Sequence, residues 1–540
     1  MESLAADLST LVRTPLAEAH VRARRRIGTT TDLPAGTWIA KTGEAADTFH
    51  YVEDGEVEAI DPSTGKRYGN ATLGPTQYFG EITFLTGGVL MMGARCVQPS
   101  RILTVPRAAM LELMSQIPEM SDIIVTVFAA RRRRLLESNQ AALTIIGADQ
   151  SRALRRIVAF AGRNRIPVRT LELDTPDADH EAEVCSIKKH EPAVIFGKNN
   201  VIEDPTPAKI ARLLGLDLAA DADTIYDVVI VGGGPAGVSA GVYAGAEGLS
   251  ALVLDDLAVG GQAGTSSRIE NYMGFPTGIT GADLCWRGEV QALKFGTRFA
   301  VPRRATALDK REDGVFCITL DSGTIVCARA VIVSTGVQYR RLPIDRLESF
   351  ESSGIYYAAT DVEARYCRDT DVVVIGGGNS AGQAAMFLCR TARHVHVLVR
   401  GPSLAASMSD YLLSRLEADP KITIHYRTQM TELHGETALE GVTIRDGLAG
   451  QDWRVDTGAV FVMVGAAPNT GWLSGLVELD DKGFVRTGAE VGGGSSYATS
   501  HPGIFAVGDV RAGSVKRVAS AVGEGAVVMS KVWDYIENGA

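Results

Sequence analysis

The chain contains 540 residues, enough for roughly three or four domains, and 45% of them are hydrophobic, so several apolar cores can form. The formal net charge of -10 at pH 7 argues against nucleic-acid binding by the chain as a whole. There is no signal peptide, no apolar run is long enough to span a bilayer, and the seven cysteines show no paired spacing. We therefore expect a cytoplasmic protein of a reducing compartment, without membrane contact or a metal site.

Residues 1–149 are predicted to form a β-roll domain with helices. Short β-rich runs and glycine turns alternate between about residues 25 and 110, as is typical of such a domain. The run Phe79-Gly80-Glu81 resembles the start of the phosphate cassette of the cyclic-nucleotide-binding family. The resemblance implies that Gly80 and Glu81 contact a ligand, with the glutamate taking a ribose hydroxyl.

The second half of that cassette departs from the family pattern. An arginine that pairs with the cyclic phosphate is expected near Leu90 and Met91, whereas Arg95 comes a few residues later. Loss of a charge-assisted contact to phosphate costs about 1.5 to 3 kcal/mol, roughly ten- to a hundredfold in affinity. We therefore predict a degenerate ligand site in the β-roll, and a different ligand and a purely structural dock both remain open.

A helix that carries the run Arg131-Arg132-Arg133-Arg134 follows the β-roll. In a transcription factor a helix-turn-helix would come next, but no such module follows, so the arginines do not indicate DNA binding. A solvated helix face or a dock for an acidic surface explains the run better.

Residues 150–217 are predicted to form a small third unit. The order of its helices and strands is similar to a thioredoxin or glutaredoxin fold, with Pro192 where that fold keeps its cis-proline. The redox cysteines of that fold are absent, because Cys185 is solitary and is not at the active-site position. We therefore expect a redox-inactive adaptor, followed by a small, acidic linker at 217–223.

A glycine-rich fingerprint follows the linker, between the apolar strand 227–231 and a helix, and the next strand ends at Asp255. The fingerprint consists of Gly232, Gly233, Gly234, Pro235, Ala236 and Gly237. Gly232 permits a tight turn, Gly234 lets the backbone approach a pyrophosphate, and Gly237 lets the helix pack on the strand. The helix N-terminus faces the phosphates and Asp255 accepts the ribose hydroxyls, so this segment predicts a dinucleotide site.

A second fingerprint follows another apolar strand. It consists of Gly376, Gly377, Gly378, Asn379, Ser380 and Ala381. Ala381 is permitted as the third small residue. The next strand, 394–399, ends in Arg400 rather than in an acid. An arginine suits a 2′-phosphate, so NADPH is favoured over NADH at this site.

Around these fingerprints, the C-terminal part of the chain resembles the low-molecular-weight thioredoxin reductase family. The matching motifs are Gly260-Gly261-Gln262, Ile269-Glu270-Asn271-Tyr272, Gly274-Phe275-Pro276, Gly278-Ile279-Thr280-Gly281, Ser334-Thr335-Gly336, 465–470 and 503–509. The resemblance implies an α/β flavoprotein reductase with two dinucleotide-binding domains, preceded by the β-roll domain and the small α/β thioredoxin-like domain.

The resemblance also implies the domain order and the cofactor contacts. An FAD-binding domain is divided between residues 225–344 and 461–540, with an NAD(P)H-binding domain at 345–460 between them. The further cofactor contacts that the resemblance implies are Gly261, Gln262, Asn271, Thr335, Gly336, Gly465, Gly508, Asp509, Arg517, Val518 and Ala519. A homodimer is implied by the resemblance alone.

The redox-active Cys-x-x-Cys pair of that family is missing. Its positions fall on Ala358 and Asp361, and no other Cys-x-x-Cys occurs in the chain, so the usual dithiol relay is excluded on chemical grounds. Asp361 is a candidate for proton transfer near the flavin, although the run 360–363 also has the pattern of a helix-capping box. Cys367, a few residues later, is expected to be a small buried residue.

These features predict an FAD-dependent oxidoreductase that passes a hydride from NADPH to FAD and on to an unidentified acceptor, a small molecule or a protein. Two alternatives remain open. The first alternative is a redox or ligand sensor, or a scaffold, with little turnover. The second is a disulfide reductase whose cysteines come from a partner. The expected partners are the nicotinamide cofactor, the acceptor and a second copy of the chain, and not a nucleic acid or a membrane.

Overall fold

The computed structural model describes residues 14–538 apart from a set of short gaps. The gaps are residues 63, 69–71, 138–142, 186, 189, 198–199, 215, 217–223, 267–268, 270, 351–353, 358, 360–362, 365–366, 406, 437 and 474. The chain divides into two compact units. The first comprises Met1–Val259, Trp286–Ile332 and Gly525–Ala540, and the second comprises Gly260–Cys285 and Val333–Glu524.

The first unit begins with the expected β-roll, built from two small antiparallel sheets of order β1-β7-β3-β5 and β2-β6-β4. Its strands are β1 Thr29–Leu33, β2 Trp38–Ala40, β3 Thr48–Asp54, β4 Val57–Ile60, β5 Tyr78–Phe79, β6 Gly93–Cys96 and β7 Ser100–Pro106. Its helices are α1 Glu18–Arg25, α2 Thr83–Thr86, α3 Arg107–Gln116 and α4 Pro118–Glu137. Alternate strand residues such as Val52, Val57 and Ile102 turn inward and fill the core of the roll.

The predicted thioredoxin-like unit follows the β-roll and is called the middle module below. Its sheet has the order β11-β10-β8-β9, in which β8 and β9 are parallel and β10 is antiparallel to both of its neighbours. Its strands are β8 Leu143–Ile146, β9 Val168–Leu171, β10 Ala193–Phe196 and β11 Asn200–Val201, and its helices are α5 Arg152–Arg163, α6 Pro176–Val184 and α7 Pro207–Leu213. The first strand, β8, starts upstream of residue 150. This order of elements is the one expected for a thioredoxin-like fold.

One detail of the module differs from the prediction. In the part of the chain that the structure describes, the cis peptide bond is Val301-Pro302, and the bond before Pro192 is not cis. Pro192 does precede an apolar strand, β10, as predicted, so its position in the fold is right and its predicted cis isomer is wrong.

The rest of the first unit is the first dinucleotide-binding fold. Its sheet runs β14-β13-β12-β17-β16-β15, with β14, β13 and β12 parallel and β15, β16 and β17 antiparallel. Its strands are β12 Ile225–Val231, β13 Ala251–Leu254, β14 Arg298–Ala300, β15 Ala305–Lys310, β16 Phe316–Leu320 and β17 Ile325–Val333. Helix α8 Pro235–Ala246 connects β12 to β13, and α9 Gly281–Lys294 precedes β14.

The second unit contains the second dinucleotide-binding fold, a parallel sheet of order β19-β26-β20-β21-β22. The strands of the unit are β18 Val337–Tyr339, β19 Ile355–Tyr356, β20 Asp371–Ile375, β21 His394–Val399, β22 Ile422–Tyr426, β23 Thr428–His434, β24 Gly441–Asp446, β25 Asp452–Val455, β26 Val460–Val462, β27 Ala466–Pro468 and β28 Ile504–Ala506. The helices are α10 Leu347–Phe350, α11 Asn379–Leu388 and α12 Asp410–Ala418, and α13 Val518–Asn538 begins in this unit. Val372 and Val374 face one apolar cluster and Val373 and Ile375 the other, as expected for a parallel strand buried on both faces.

Two cysteines of the first unit form a disulfide that the sequence did not indicate. Cys317 of β16 and Cys327 of β17 lie directly opposite each other and form a disulfide, with a Cα–Cα distance of 4.3 Å. Their spacing of ten residues gave no sign of this pairing, because it arises from the register of the two antiparallel strands. The expectation of a chain without paired cysteines is therefore wrong at these two positions.

Candidate functional site

The first fingerprint forms the turn between β12 and α8. Gly232 has φ 111°, a conformation that favours glycine, and its N–H donates to the carbonyl of Leu254 at 2.8 Å. Gly234 caps α8 at its N-terminus, and Pro235 occupies the first turn, where its missing N–H removes no helical hydrogen bond. A Cβ added at Gly234 would meet no atom of the protein within 4 Å, so open space lies in front of this turn.

Asp255 stands at the end of β13, as predicted, and its carboxylate closes the same turn. Its Oδ2 accepts from the N–H of Gly233 at 2.8 Å, and its Oδ1 accepts from the N–H groups of Leu257 and Ala258 at 3.0 and 2.9 Å. Burial, with a contribution from Asp256, raises the pKa of Asp255 to about 6. This raised pKa still lies below neutral pH. The carboxylate is therefore mostly ionised at pH 7 and can accept a hydrogen bond from a ribose hydroxyl.

Small residues allow α8 to approach its neighbours closely. Ala236 and Gly237 are buried at its start. A Cβ at Gly525 of α13 would lie 2.1 Å from the carbonyl oxygen of Ala236, and a Cβ at Gly245 would lie 2.7 Å from that of Phe295. The glycines therefore fix the position of the helix whose N-terminus forms the turn.

The other predicted flavin contacts lie in the second unit. Gln262 donates through Nε2 to the carbonyl of Val337 at 2.6 Å, which fixes its side chain against β18. The hydroxyl of Thr335 donates to the carbonyl of Asn469 at 2.9 Å. Gly261, Gly336 and Gly465 have φ of 52°, 59° and 91°, and Asn271 is exposed. These residues stand on loops that glycines turn, as is usual for binding residues on a rigid scaffold.

Gly508 and Asp509 follow β28 in a short 3-10 turn. The N–H of Gly508 donates to Glu524 Oε2 at 2.6 Å, and Arg511 donates to the other oxygen of the same carboxylate at 2.7 Å. Within the described residues no hydrogen bond holds the Asp509 carboxylate, and burial raises its pKa. Glu524 was not predicted as a site residue, although an acid in the mostly apolar first half of α13 signals a buried partner.

Arg517, Val518 and Ala519 mark the start of the last helix, α13. Arg517 and Ala519 are exposed, and Val518 is partly buried. The N–H of Arg517 donates to the carbonyl of Val515 at 2.7 Å, whereas the N–H groups of Val518 and Ala519 stand in the first turn of the helix, where such donors can meet an anionic or polar ligand.

The second fingerprint has the same construction between β20 and α11. Gly376 has φ 150°, and a Cβ there would lie 2.4 Å from the carbonyl oxygen of Met463. Gly378 caps α11, and Asn379 Oδ1 accepts from the N–H of Ser409 at 2.8 Å. Ser380 is exposed and Ala381 is fully buried, so the third small residue packs the helix onto the sheet as predicted.

Arg400 lies exposed, directly after β21. It forms no ion pair or hydrogen bond with another residue of the described part of the chain. Nearby, Ser407 donates to the carbonyl of Gly377 at 2.6 Å, which ties the segment after Arg400 to the fingerprint. An exposed guanidinium at the end of this strand fits a 2′-phosphate.

The segment that replaces the redox dithiol is only partly described. Ala358 and Asp361 lie outside the described residues, so the roles considered for Asp361 stay predictions. Cys367 is fully buried, and burial raises the pKa of its thiol to about 12. Its expected role as a small buried residue is confirmed, and as a neutral thiol it is unreactive near pH 7.

The comparisons with known proteins agree with this architecture. The model of the pyridine nucleotide-disulphide oxidoreductase family matches residues 226–525, more than half of the chain, and that of the cyclic nucleotide-binding domain matches residues 30–117. The chain therefore belongs to the pyridine nucleotide-disulphide oxidoreductase family. It is an NAD(P)H-dependent flavoprotein enzyme of the thioredoxin reductase type by homology, and the predicted fold class is confirmed.

Individual relatives show how much of the chain is shared. A thioredoxin reductase from Mycolicibacterium smegmatis is 36% identical over 312 residues, or 56% of this chain and 94% of the relative. A protein from Bacillus subtilis (strain 168) named NADH dehydrogenase is 31% identical over 342 residues, or 63% of this chain and 64% of the relative. The crystal structure of Lactococcus lactis thioredoxin reductase has a TM-score of 0.53 and 27% identity, covering 58% of this chain and 100% of that one.

The residues present fit the cofactors of the family, FAD and NADPH. Open space in front of Gly234 and the carboxylate of Asp255 suit a dinucleotide at the first fingerprint, and Gly376 and the exposed Arg400 suit NADPH at the second. The cofactor prediction is thus confirmed at the level of the family.

In the described part of the chain, helices that are both long and apolar enough to cross a membrane are absent.

Proposed function

We propose that this chain oxidises NADPH through bound FAD and passes the electrons to an acceptor outside the chain, without an internal dithiol. The observation that carries the proposal is the absence of any Cys-x-x-Cys from the sequence. Buried thiols do not replace the pair, because Cys285, Cys367 and Cys389 are all at most 6% exposed. When bound, FAD supplies the chemistry that accepts a hydride and releases its electrons to an acceptor.

The protein contributes binding and orientation. The ionised Asp255 and the N-terminus of α8 hold the ribose and the pyrophosphate of one dinucleotide, and Arg400 holds the 2′-phosphate of the other. Asp509, whose carboxylate has no hydrogen-bond partner within the described residues, is available to a hydroxyl of the flavin side chain. Each of these residues contributes to cofactor binding within its own unit, and the final acceptor meets the flavin without a protein dithiol.

The acceptor is a small molecule or a protein. A relative named NADH dehydrogenase supports an acceptor other than thioredoxin, because that name describes a donor and not a disulfide substrate.

A homodimer is also proposed, since Tyr243 of α8 and Val527 and Trp533 of α13 expose 45%, 56% and 42% of their surface.

An acceptor panel tests the proposal. NADPH oxidation by the purified holoenzyme is followed with menadione, ferricyanide, dioxygen, or thioredoxin plus insulin as the acceptor. We expect turnover with an acceptor that meets the flavin directly and only background oxidation with thioredoxin, because no dithiol connects the two. The control is the variant Cys317→Ser/Cys327→Ser, which should turn over at the rate of the unaltered chain. Strong stimulation by thioredoxin would instead indicate cysteines supplied by the partner, and no turnover at all would indicate a sensor.

A further inference from the structure

The ligand cassette of the β-roll, residues 80–91, is held by helix α4 of the same domain. Arg131 donates to the carbonyl of Gly80 at 2.9 Å, and Arg132 donates to Glu81 Oε2 through two nitrogens at 2.8 and 2.7 Å. The side chains of Glu81 and Arg132 are 8% and 6% exposed. The arginine run is therefore not only a solvated face, because two of its members bind the cassette from inside the domain.

The carboxylate of Glu81 has no acceptor position left. A carboxylate offers about four lone-pair positions. Arg132 fills two of them on Oε2, and the N–H and hydroxyl of Thr83 both donate to Oε1, the N–H at 3.3 Å. A ribose hydroxyl could bind Glu81 only by breaking one of these bonds inside the protein, which would leave a buried donor unpaired.

The other half of the cassette contacts the middle module. The N–H of Val89 donates to the carbonyl of Leu214 at 3.3 Å, and a Cβ at Gly88 would lie 2.7 Å from that same oxygen. Met91, 3% exposed, belongs to the apolar cluster of the module that includes Ile145 and Leu214. The space around the position expected for a phosphate-binding arginine is thus packed with apolar side chains of this chain.

Arg95, the nearest candidate for that missing arginine, is engaged elsewhere. It donates to Glu58 Oε1 at 2.5 Å, and Arg67 donates to Glu58 Oε2 at 2.7 Å. Its guanidinium also lies over the Trp38 ring, 5.6 Å from the centroid. Arg95 is therefore committed to structural contacts within the β-roll.

Helix α4 and the middle module also contact helix α9, which precedes strand β14 of the first dinucleotide-binding fold. Arg132 donates to the carbonyl of Arg165 in the middle module at 3.2 Å, and the guanidinium of Arg165 lies 4.9 Å from the ring centroid of Trp286. Glu289, on the same helix α9 as Trp286, lies within electrostatic reach of both arginines, and burial raises its pKa to about 7. Lys294, at the end of α9, forms an ion pair with Asp122 of α4.

We infer that the cassette 80–91 is an interdomain joint: Arg132 and Thr83 occupy Glu81 in place of a nucleotide, and the cassette and α4 bind the middle module and helix α9. The partner of this surface is the chain itself. The joint does not depend on the electron acceptor. The proposed function can therefore fail its test while the joint passes its own, and the joint can fail while the proposed function passes.

The first test is direct binding. Titration calorimetry of the full FAD-loaded chain with cyclic AMP and with cyclic GMP should give no saturable heat at millimolar nucleotide. Saturable binding of either nucleotide with a micromolar dissociation constant would overturn the inference, because it requires a free Glu81 or an open phosphate pocket.

The second test uses Arg132→Met, with Arg134→Met on the exposed face of the same helix as the matched control. Removing Arg132 leaves a buried charge at Glu81, so we expect a fall in melting temperature of about 10 °C that the control does not show. Adding Glu81→Gln should recover part of the loss, since the two residues form one pair.

Amide hydrogen exchange distinguishes the loss of an interdomain contact from a defect confined to the β-roll. In Arg132→Met, amide exchange should rise in residues 160–166 of the middle module and 286–294 of α9 as well as in the cassette. A rise confined to the β-roll would contradict the inference. If Arg132→Met fails to fold, the milder variant Arg132→Lys gives the same comparison, because a lysine keeps the charge but not the two-nitrogen contact.

Discussion

An alanine at Gly234 is expected to leave the apoprotein folded and to weaken FAD binding at least about tenfold. The backbone tolerates the change, because Gly234 has φ -70° and an added Cβ meets no atom within 4 Å. The space in front of the turn is where the pyrophosphate must approach the backbone, so the methyl group displaces the ligand and not the protein. Flavin titration of the apoprotein and its melting temperature together measure the two effects.

The control for this variant is Gly494→Ala, at another position where an added Cβ meets nothing within 4 Å. It should change neither FAD affinity nor melting temperature. Retention of FAD by Gly234→Ala with the original affinity would mean that the pyrophosphate does not bind at this turn. Gly376 could not serve for such a test, because its Cβ would lie 2.4 Å from the carbonyl oxygen of Met463 and would disturb folding itself.

Replacing Arg400 with alanine should raise the KM for NADPH by roughly ten- to a hundredfold and leave the KM for NADH nearly unchanged. The reason is that the exposed guanidinium has no partner within the described residues, so its removal costs no internal contact but loses a charge-assisted bond to the 2′-phosphate. Steady-state kinetics with both nucleotides and one fixed acceptor measure this difference.

The matched control is Arg390→Ala, another exposed arginine of the same dinucleotide-binding fold. It should alter neither KM, because it does not stand at the end of β21. An equal loss for NADPH and NADH in the Arg400 variant would contradict the assignment of Arg400 to the 2′-phosphate and would indicate a structural role.

The two fingerprints were predictable because their signal is local. A buried strand, a glycine turn, a helix and a terminal Asp255 or Arg400 follow one another in the sequence, and each step has its own physical requirement. The β-roll was predictable from short β-rich runs and glycine turns, and the thioredoxin-like module from the order of its helices and strands. In each of these segments, short-range pattern and final structure agree.

The features that were missed depend on contacts between distant residues. The disulfide of Cys317 and Cys327 is set by strand register, and the bond between Gly508 and Glu524 joins a loop to a helix. The burial of Arg132 inside a run of four arginines likewise depends on which face of α4 meets the cassette. A single sequence shows these residues but does not show which of them meet.

In the proposed function, electrons pass through FAD alone. Anaerobic reduction of the oxidised holoenzyme with dithionite, followed by flavin absorbance, counts the electrons taken up. We expect about two electrons per FAD, the capacity of the flavin itself. Uptake of about four electrons would contradict it, because a second two-electron group such as a disulfide would then take part. In that case the variant Cys317→Ser/Cys327→Ser would show whether the disulfide across β16 and β17 is that group.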